Sequence, residues 1–284
     1  MANENLVMTL LVRDEEDILA TNIEYHLAQG VDFIIATDNL SVDKTPEILL
    51  QYQNMGVLKI INESTDDYSQ HRWVTRMARM ACTDFDAKWV INNDADEFWW
   101  PENGENLKTS LNSLPVDMLA VKAERYNFLP NLETEHSYFL NSMTTREISS
   151  LNPLGTAPLP PKTCHRAYPD VEIGQGNHNV FCQGKLLATS AAPLSILHFP
   201  LRSYSQFANK IAKGGAAYAR NKQFKESVGL TWRKLYQQYQ EGKLYDYYLA
   251  QLPSAAKISD GMATGELVTD YRLRDFMTGV QRLV

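Results

Sequence analysis

The sequence of 284 residues has few cysteines, and none of the three has metal-ligand or redox spacing. Cys82, Cys164 and Cys182 are too few for a disulfide framework, which is consistent with a reducing cytoplasm. No apolar run is long enough to span a bilayer, and the amino terminus lacks the basic start of a signal peptide. We therefore expect a cytoplasmic protein. A hydrophobic content of 44% and a charged content of 21% are typical of a globular chain of this length.

The chain also lacks an excess of positive charge, because its 27 Lys and Arg residues are outnumbered by 34 Asp and Glu residues and the formal net charge at pH 7 is −7. We therefore expect no nucleic-acid partner, because such partners favour a basic surface. The exception is residues 202–243, where nine Lys and Arg residues stand against Glu226 and Glu241. A basic segment in an acidic chain indicates an anionic ligand or an anionic surface. The alternative is a helix with a solvated basic face.

The most informative stretch is an acidic cluster that follows a short apolar run. Trp89, Val90 and Ile91 have the length of a buried strand, and the polar residues 92–97 disfavour its continuation. Asp94 and Asp96 would then follow the carboxyl end of a strand, where open α/β sheets bind ligands. Residues two apart in an extended chain point the same way, so both carboxylates can approach one Mg²⁺ or Mn²⁺ ion. The alternative is a solvated acidic turn, because this triplet is common.

Apolar runs alternate with helical patterns through the first hundred residues. The predicted strands cover residues 6–12, 33–36, 57–61 and 89–91, and each ends in a polar loop. Helical spacing lies between them, over about residues 18–28, 45–54 and 70–82. This alternation predicts an α/β fold, with a Rossmann-like, mostly parallel sheet and helices on both faces.

The second half of the chain is less regular. Apolar runs at residues 118–123, 186–189 and 194–199 predict further strands. Residues 149–184 have the composition of a loop, and long irregular segments of this kind are usually functional or disordered. From residue 203 the pattern is helical. We therefore predict a main domain at residues 1–215 and a helical C-terminal extension at residues 216–284.

Several motifs, taken in order, resemble a known family. They are Arg13-Asp14-Glu15, Asp38-Asn-x-Ser-x-Asp43, Asn93-Asp-Ala-Asp-Glu-Phe98, Lys162-x-x-His165-Arg166, Gly176-Asn-His178 and His198-Phe-Pro-Leu-Arg-Ser203. In this order they are similar to glycosyltransferases of the family-2-like group. The resemblance covers about residues 5–215 and implies the A-type fold. Residues 1–100 would then be the nucleotide-binding half and residues 101–215 the acceptor half.

The resemblance implies transfer of a sugar from a nucleotide-sugar donor, with UDP as the expected nucleotide, to a hydroxyl of a glycan or glycolipid. It also implies a Mn²⁺ or Mg²⁺ ion on the donor diphosphate, held by Asp94 and Asp96 of the D-x-D motif and by His198. The residues assigned to the nucleotide are Val12, Arg13, Glu15, Asp38, Asp43, Arg76 and Asp94. For Arg76, the alternative is a surface helix face.

Sugar transfer releases a nucleoside diphosphate, so the site must stabilise the negative charge that grows on the leaving group. Arg202 and Lys210 follow His198 in the basic segment and are the predicted phosphate-binding residues. The alternative is that this segment contacts an anionic membrane surface, which would give the protein a peripheral location at the inner membrane face. Arg220, Lys222 and Lys225 suit that alternative better.

Three further residues are assigned to the acceptor side. Asp170 is the predicted base that takes a proton from the acceptor hydroxyl. His178 either binds the acceptor sugar or holds its own loop in place. Trp100 is either a stacking platform for the acceptor sugar or an aromatic residue of the core.

Two other functions compete with sugar transfer. A nucleotidyltransferase also joins an α/β sheet to an acidic metal site, but it would usually carry a Gly-rich, basic loop after the first strand. This chain has an acidic stretch there, from Arg13 to Asp17. A non-catalytic module that binds carbohydrate or nucleotide would keep the fold, but the presence of both Asp94 and Asp96 counts against it.

Overall fold

The computed structural model describes residues 4–67, 69–131, 138–151, 157–221 and 228–280. Within these ranges the strands are β1 Leu6–Val12, β2 Phe33–Asp38, β3 Leu58–Asn62, β4 Trp89–Asp94, β5 Glu97–Pro101, β6 Ala120–Asn127, β7 Thr145–Glu147, β8 Lys162–Arg166, β9 Val171–Ile173, β10 Val180–Cys182, β11 Lys185–Leu186, β12 Thr189–His198 and β13 Leu267–Thr269. The α-helices are α1 Leu19–Ala28, α2 Thr45–Asn54, α3 Gln70–Thr83, α4 Leu107–Asn112, α5 Phe139–Ser142, α6 Tyr204–Arg220, α7 Leu230–Gln240, α8 Leu244–Gln251, α9 Ala255–Thr264 and α10 Arg272–Gly279.

Eight of the strands form one sheet, in the order β3-β2-β1-β4-β8-β6-β12-β5. β1 pairs in parallel with β2 and β4, β2 with β3, and β6 with β12. β8 runs antiparallel between β4 and β6, and β5 runs antiparallel along β12. The predicted α/β class with a mostly parallel sheet is confirmed. The carboxyl ends of β1, β2, β3 and β4 therefore meet at one edge.

Helices cover both faces of this sheet. Along β1, Met8 and Leu10 pack in the larger core together with residues of α1 and α2. Val7 points to the other face, where it packs with Val74 and Met77 of α3. Alternate residues of a strand point to opposite faces, so a strand such as β1, which is apolar at every position except Thr9, requires cover on both sides.

The prediction of a loop over residues 149–184 is wrong. The described part of this stretch contains β8, in the middle of the large sheet, and β9 and β10, which form a small sheet with β11. The first four side chains of β8, Lys162 to His165, are buried although the strand is polar. Burial is tolerated because the polar groups have partners: Thr163 donates to the carbonyl of His178, and Lys162 donates to carboxylates.

The C-terminal part leaves the large sheet and then returns to the main core. α6 crosses the predicted domain boundary at residue 215, and its Phe207 and Ile211 form a separate small core with α7 and α8. β13 then pairs with β7, and Leu273 of α10 is buried in the main core. Apart from β13, the described extension is helical. In the described part of the chain, no helix has the length and apolar character needed to cross a membrane.

Candidate active site

The acidic cluster lies at the turn that joins β4 to β5. Asp94 ends β4, residues 95–96 form the turn, and Glu97 begins β5. Asn22 of α1 fixes this turn, because its side-chain amide donates to the carbonyls of residues 95 and 97 at 2.9 and 2.8 Å. Asp96 therefore lies in a turn, and the expectation of an extended chain from Asp94 to Asp96 is wrong.

Asp96, Glu97 and His198 form a buried group, which we call the inner cluster. One potential metal-ligand atom of each residue lies within 4.8 Å of those of the other two. The antiparallel pairing of β5 with β12 brings them together, since His198 stands opposite Glu97. Nδ1 of His198 lies 2.7 Å from Oδ1 of Asn127, so we assign its proton to Nδ1. Nε2, 3.7 Å from the Asp96 carboxylate, is then free to bind a metal.

Glu97 is the member of the inner cluster that the sequence analysis did not assign. Its Oε1 accepts a hydrogen bond from Arg125 at 3.2 Å and forms an ion pair with Lys162 at the same distance. Its Oε2 is buried, and among the described residues it has no hydrogen-bond partner. Burial raises the pKa of Glu97, although Lys162 acts in the opposite direction. The position of Glu97 directly after the D-x-D motif was the available signal.

Asp94 lies at the rim of the inner cluster, with 30% of its side chain exposed. Its Oδ2 accepts from the Lys162 ammonium group, and its Oδ1 accepts from Gln70 at 3.4 Å and Asn177 at 3.3 Å. These donors come from β8, from α3 and from the turn after β9. The structure thus brings Glu97, in place of the predicted Asp94, into the close group of potential ligands.

Lys210 of α6 extends the inner cluster toward β1. Its Nζ lies 2.6 Å from Oδ2 of Asp96 and 3.6 Å from Oε1 of Glu15. Burial alone would raise the pKa of Asp96, but the charge of Lys210 holds that pKa well below its ordinary value. For Glu15, burial outweighs Lys210 and its pKa is raised. Lys210 therefore stands between the D-x-D turn and the loop after β1.

Arg202 is almost fully buried, with 1% of its surface exposed. Its Nε lies 2.6 Å from Asp17, its Nη2 lies 2.5 Å from Glu15, and its Nη1 donates to the carbonyl of Phe199 at 3.0 Å. Every nitrogen of the guanidinium group thus donates to a protein oxygen. Arg202 therefore holds the loop after β1 against the start of α6. In this arrangement its donors are used within the protein, and not for the predicted phosphate contact.

The acids assigned to the nucleotide lie in the loops after β1 and β2, beside the inner cluster. Asp38 accepts a hydrogen bond from the backbone N–H of Ser41 at 3.2 Å. Asp43 accepts one from the backbone N–H of Thr45 at 2.9 Å. These contacts fix the shape of the loop between β2 and α2 at the carboxyl edge of the sheet.

The remaining residues assigned to the nucleotide lie around the same edge. Arg13 pairs with Asp66 at 2.7 Å, and Arg76 pairs with Glu63 at 3.2 Å. The side chain of Val12 belongs to the core. The structure therefore gathers the loops after β1, β2 and β3 into one acidic and basic surface.

His178 lies near the inner cluster, on the side of β8. Its Nδ1 is 2.8 Å from the carbonyl oxygen of Pro161. Burial, and then the charge of Lys162, lower the pKa of His178 to about 4, while Asp94 acts in the opposite direction. The ring is therefore neutral at pH 7, and its Nε2 is its remaining acceptor.

Trp100 is separated from the inner cluster by its packing. Its ring stacks on Tyr25 at 6.2 Å between centroids and meets Phe276 of α10 edge to face. The guanidinium group of Arg272 lies 5.2 Å from its centroid. The structure thus places Trp100 in the wall between the sheet and the C-terminal helix, as the core alternative expected.

The structure also separates Asp170 from the inner cluster. β8 is antiparallel to β4, with Arg166 opposite Trp89 at the start of β4. Asp170 follows Arg166 by four residues, so it lies at the edge of the sheet opposite to Asp94. There it accepts a hydrogen bond from the Cys182 thiol at 3.3 Å. The loop prediction led to this assignment, because a strand that crosses the sheet carries its two ends to opposite edges.

The described basic residues of α6 also point at the acidic loops. Lys213 pairs with Asp14, and Arg220 pairs with Asp66. Of the three residues assigned to the membrane alternative, Arg220 is therefore paired within the chain, while Lys222 and Lys225 lie outside the described residues. The described basic residues of α6, namely Lys210, Lys213 and Arg220, therefore form ion pairs within the chain.

Comparison with known proteins identifies a family that matches this chain. The model of glycosyltransferase family 92 matches residues 8–166, more than half of the chain. No curated protein sequence matches this chain. Among solved structures, S. aureus TarS 1–349 with UDP aligns over 97% of this chain and 92% of its own, at 13% identity and a TM-score of 0.43. TarS 1–349 with UDP-GlcNAc aligns over 92% of both chains, at 11% identity and a TM-score of 0.44.

A third solved structure is similar over a shorter part. Glucosyl-3-phosphoglycerate synthase from Mycobacterium tuberculosis, with Mn²⁺, UDP and glucosyl-3-phosphoglycerate, aligns over 44% of this chain and 45% of its own. The sequence identity is 16% and the TM-score is 0.32.

Proposed function

The chain belongs to glycosyltransferase family 92, and from that premise we propose that it moves a sugar from a UDP-sugar to a hydroxyl of a carbohydrate or glycolipid, with Mn²⁺ or Mg²⁺ as cofactor. The expectation of a glycosyltransferase is confirmed, with family 92 as the matching family where the motifs indicated the family-2-like group. The observation that carries the proposal is the inner cluster with Lys210 beside it.

The side chains of the inner cluster fit a divalent metal ion. Two carboxylates and an imidazole suit Mn²⁺, and the carboxylates also suit Mg²⁺. The buried Oε2 of Glu97, which lacks a hydrogen-bond partner among the described residues, is an oxygen that a cation would satisfy. Asp96, Glu97 and His198 would hold the ion. When bound, it would neutralise charge on the donor diphosphate.

Two lysines would serve the reaction in different ways. Lys210 would contact the diphosphate, and its attraction would grow as the leaving group gains negative charge. Lys162 would act as a positioning residue, because its ammonium group bridges Asp94 and Glu97 from a fully buried strand. Arg202 would hold the loop after β1 that carries Glu15.

The nucleotide would bind over the loops after β1, β2 and β3. This is the crevice at the carboxyl ends of strands where open α/β sheets bind nucleotides. Asp38 and Asp43 offer acceptors for the hydroxyl and N–H groups of ribose and uracil, while Arg13 and Arg76 offer donors. Asp94 and the backbone at Val12 complete the proposed set.

The acceptor would bind on the side of β8. The Nδ1–H of His178 donates to Pro161, which leaves Nε2 to accept a hydrogen bond from an acceptor hydroxyl. In this scheme residues 1–100 bind the donor, residues 101–215 bind the acceptor, and the remaining residues form the extension. The three cysteines are free, which supports a cytoplasmic location.

A UDP-release assay tests this function. The purified chain is incubated with a panel of UDP-sugars in Mn²⁺, Mg²⁺ or EDTA, and UDP and transferred sugar are measured. We expect metal-dependent release with at least one donor. Glu97→Gln should remove it, whereas Glu105→Gln, the same charge change at an exposed site, should not. Equal release in EDTA would overturn the metal dependence, and pyrophosphate release from nucleoside triphosphates would favour a nucleotidyltransferase.

A further inference from the structure

A second concave region lies between the sheet and the C-terminal segment, and we call it the rear depression. Its volume is about 390 Å³, within the range of small-molecule sites. β6, β12 and the end of β5 form its floor, and residues beside β7 and at the start of α10 form its walls. The lining side chains that could contact a ligand include Glu102, Glu124, Tyr126, Arg146, Ile148 and Arg272.

The rear depression is on the face of the sheet opposite to the inner cluster. On β6, Arg125 contacts Glu97 and Asn127 contacts His198, so these two side chains project toward the inner cluster. Glu124 and Tyr126 alternate with them along the strand and therefore project from the other face. A ligand in the rear depression is thus separated from the donor by the thickness of the sheet.

The two arginines of the rear depression are held in position by ion pairs. Arg146 lies over the ring of Tyr126 at 4.7 Å, and its Nε donates to Asp270 at 2.6 Å. Among the described residues, its Nη2 has no hydrogen-bond partner. Glu102 is occupied by Arg272, at 3.0 Å. The guanidinium group of Arg146 is therefore already held in position, so a ligand that binds to it loses little free energy in ordering this side chain.

Glu124 supplies the complementary acceptor. It is exposed, and no described residue donates a hydrogen bond to it. Ile148, 45% exposed, adds an apolar surface beside these two groups. A carboxylate, a guanidinium group and an apolar contact together match the hydroxyls and the C–H face of a sugar ring.

The charge balance selects the class of ligand. The two arginines are each paired with a carboxylate, so the depression has no surplus of positive charge to attract an anion. The same arginines repel a metal ion from Glu102 and Glu124. From these observations we propose that the rear depression is a second carbohydrate-binding site, which holds a neutral sugar of a glycan away from the catalytic centre.

Ligand-observed NMR tests this proposal on the full chain. Saturation transfer is measured to the methyl glycosides of glucose, galactose, mannose, N-acetylglucosamine and N-acetylgalactosamine, with UDP and Mn²⁺ present to occupy the catalytic side. We expect transfer to at least one glycoside. Glu124→Ala and the space-filling Ile148→Trp should each raise its apparent Kd by about tenfold or more, equivalent to about 1.4 kcal/mol.

Lys122→Ala is the matched control, because Lys122 is exposed on the same face of β6 as Glu124 but does not line the depression. It should leave the apparent Kd unchanged, and the UDP affinity of all three variants should equal that of the parent chain. Absence of transfer to all five glycosides, or equal transfer in the Glu124 and Ile148 variants, would overturn the site. Neither result would bear on UDP release, so the proposed function is tested separately.

Discussion

Two sets of carboxylates lie at the same edge of the sheet, and their surroundings differ. Asp96 and Glu97 of the inner cluster are 4% and 0% exposed, whereas Asp66 in the loop after β3 is only partly buried. Burial raises the pKa of Glu97. Burial would also raise the pKa of Asp66, but hydrogen bonds from Arg13 and Arg220 lower it below its ordinary value. The outer acid is satisfied by its neighbours, and the inner one is not.

We expect this difference in burial and pairing to distinguish the residues of the proposed site from residues that only support the structure. A buried carboxylate oxygen without a described partner is expensive unless a cation or donor reaches it. Within the described chain, Oε2 of Glu97 lacks a hydrogen-bond partner, and the proposed metal ion would supply one contact to it. The outer pairs are partly solvated, and such pairs contribute little to stability. Substitutions should accordingly have effects that decrease from the inner cluster to the outer loops.

The largest effect is expected for Asp96→Asn. The substitution keeps the shape of the side chain but removes the charge that a divalent ion and Lys210 require. We expect UDP release to fall by at least about 10³-fold, together with loss of Mn²⁺ binding measured by electron paramagnetic resonance. Asp117→Asn, at an exposed position, is the control. Normal turnover of the Asp96 variant with Mn²⁺ would show that the metal site is elsewhere.

The next effect concerns the buried ion pairs of Lys162. Lys162→Met should destabilise the fold by roughly 3–5 kcal/mol, because it leaves Asp94 and Glu97 close together without their shared cation. Adding Glu97→Gln to this variant should recover part of the loss. Urea unfolding of the two single variants and the double variant measures the coupling between the residues. Strictly additive free energies would contradict the bridging role of Lys162.

The parallel half of the fold could be predicted because its strands are buried on both faces. β1 and β2 are nearly continuous apolar runs, and each is followed by a helical pattern. β4 was predicted only as far as Ile91, since its last three residues are polar. It continues to Asp94 because Asn92 accepts from Thr9 at 2.9 Å and Asn93 donates to Asn22 at 3.1 Å.

The rest of the site depends on contacts between distant parts of the chain. Lys162 and Asp94 are 68 residues apart, and His198 meets Glu97 only through the antiparallel register of β5 and β12. No local periodicity encodes such a pairing. The same reason explains why β8 was predicted as a loop and why Asp170, predicted as the base, lies at the edge of the sheet opposite to Asp94. Local pattern predicted the D-x-D motif, while its partners required the topology.

An intermediate effect is expected for Lys210→Ala. Lys210 joins the inner cluster to the loop after β1, and 28% of its side chain is exposed. We expect kcat to fall by roughly 10–100-fold, with a smaller change in the free energy of unfolding than for Lys162→Met. Lys213→Ala is the matched control, because Lys213 lies on the same helix and pairs with Asp14 outside the inner cluster. Equal losses of kcat in both variants would remove the distinction between the two lysines.

The smallest effect is expected at Asp66, where two arginines allow structure and binding to be compared on one carboxylate. Arg220 is half exposed, so Arg220→Ala should lower the free energy of unfolding by less than about 1 kcal/mol. This loss should become smaller at high salt, and the UDP affinity should not change. Arg13→Ala removes the other pair of the same carboxylate and also a proposed nucleotide contact, so UDP affinity measured by calorimetry should fall several-fold. If both variants bound UDP like the parent chain, the outer loops would be supports only, and nucleotide recognition would belong to the inner cluster.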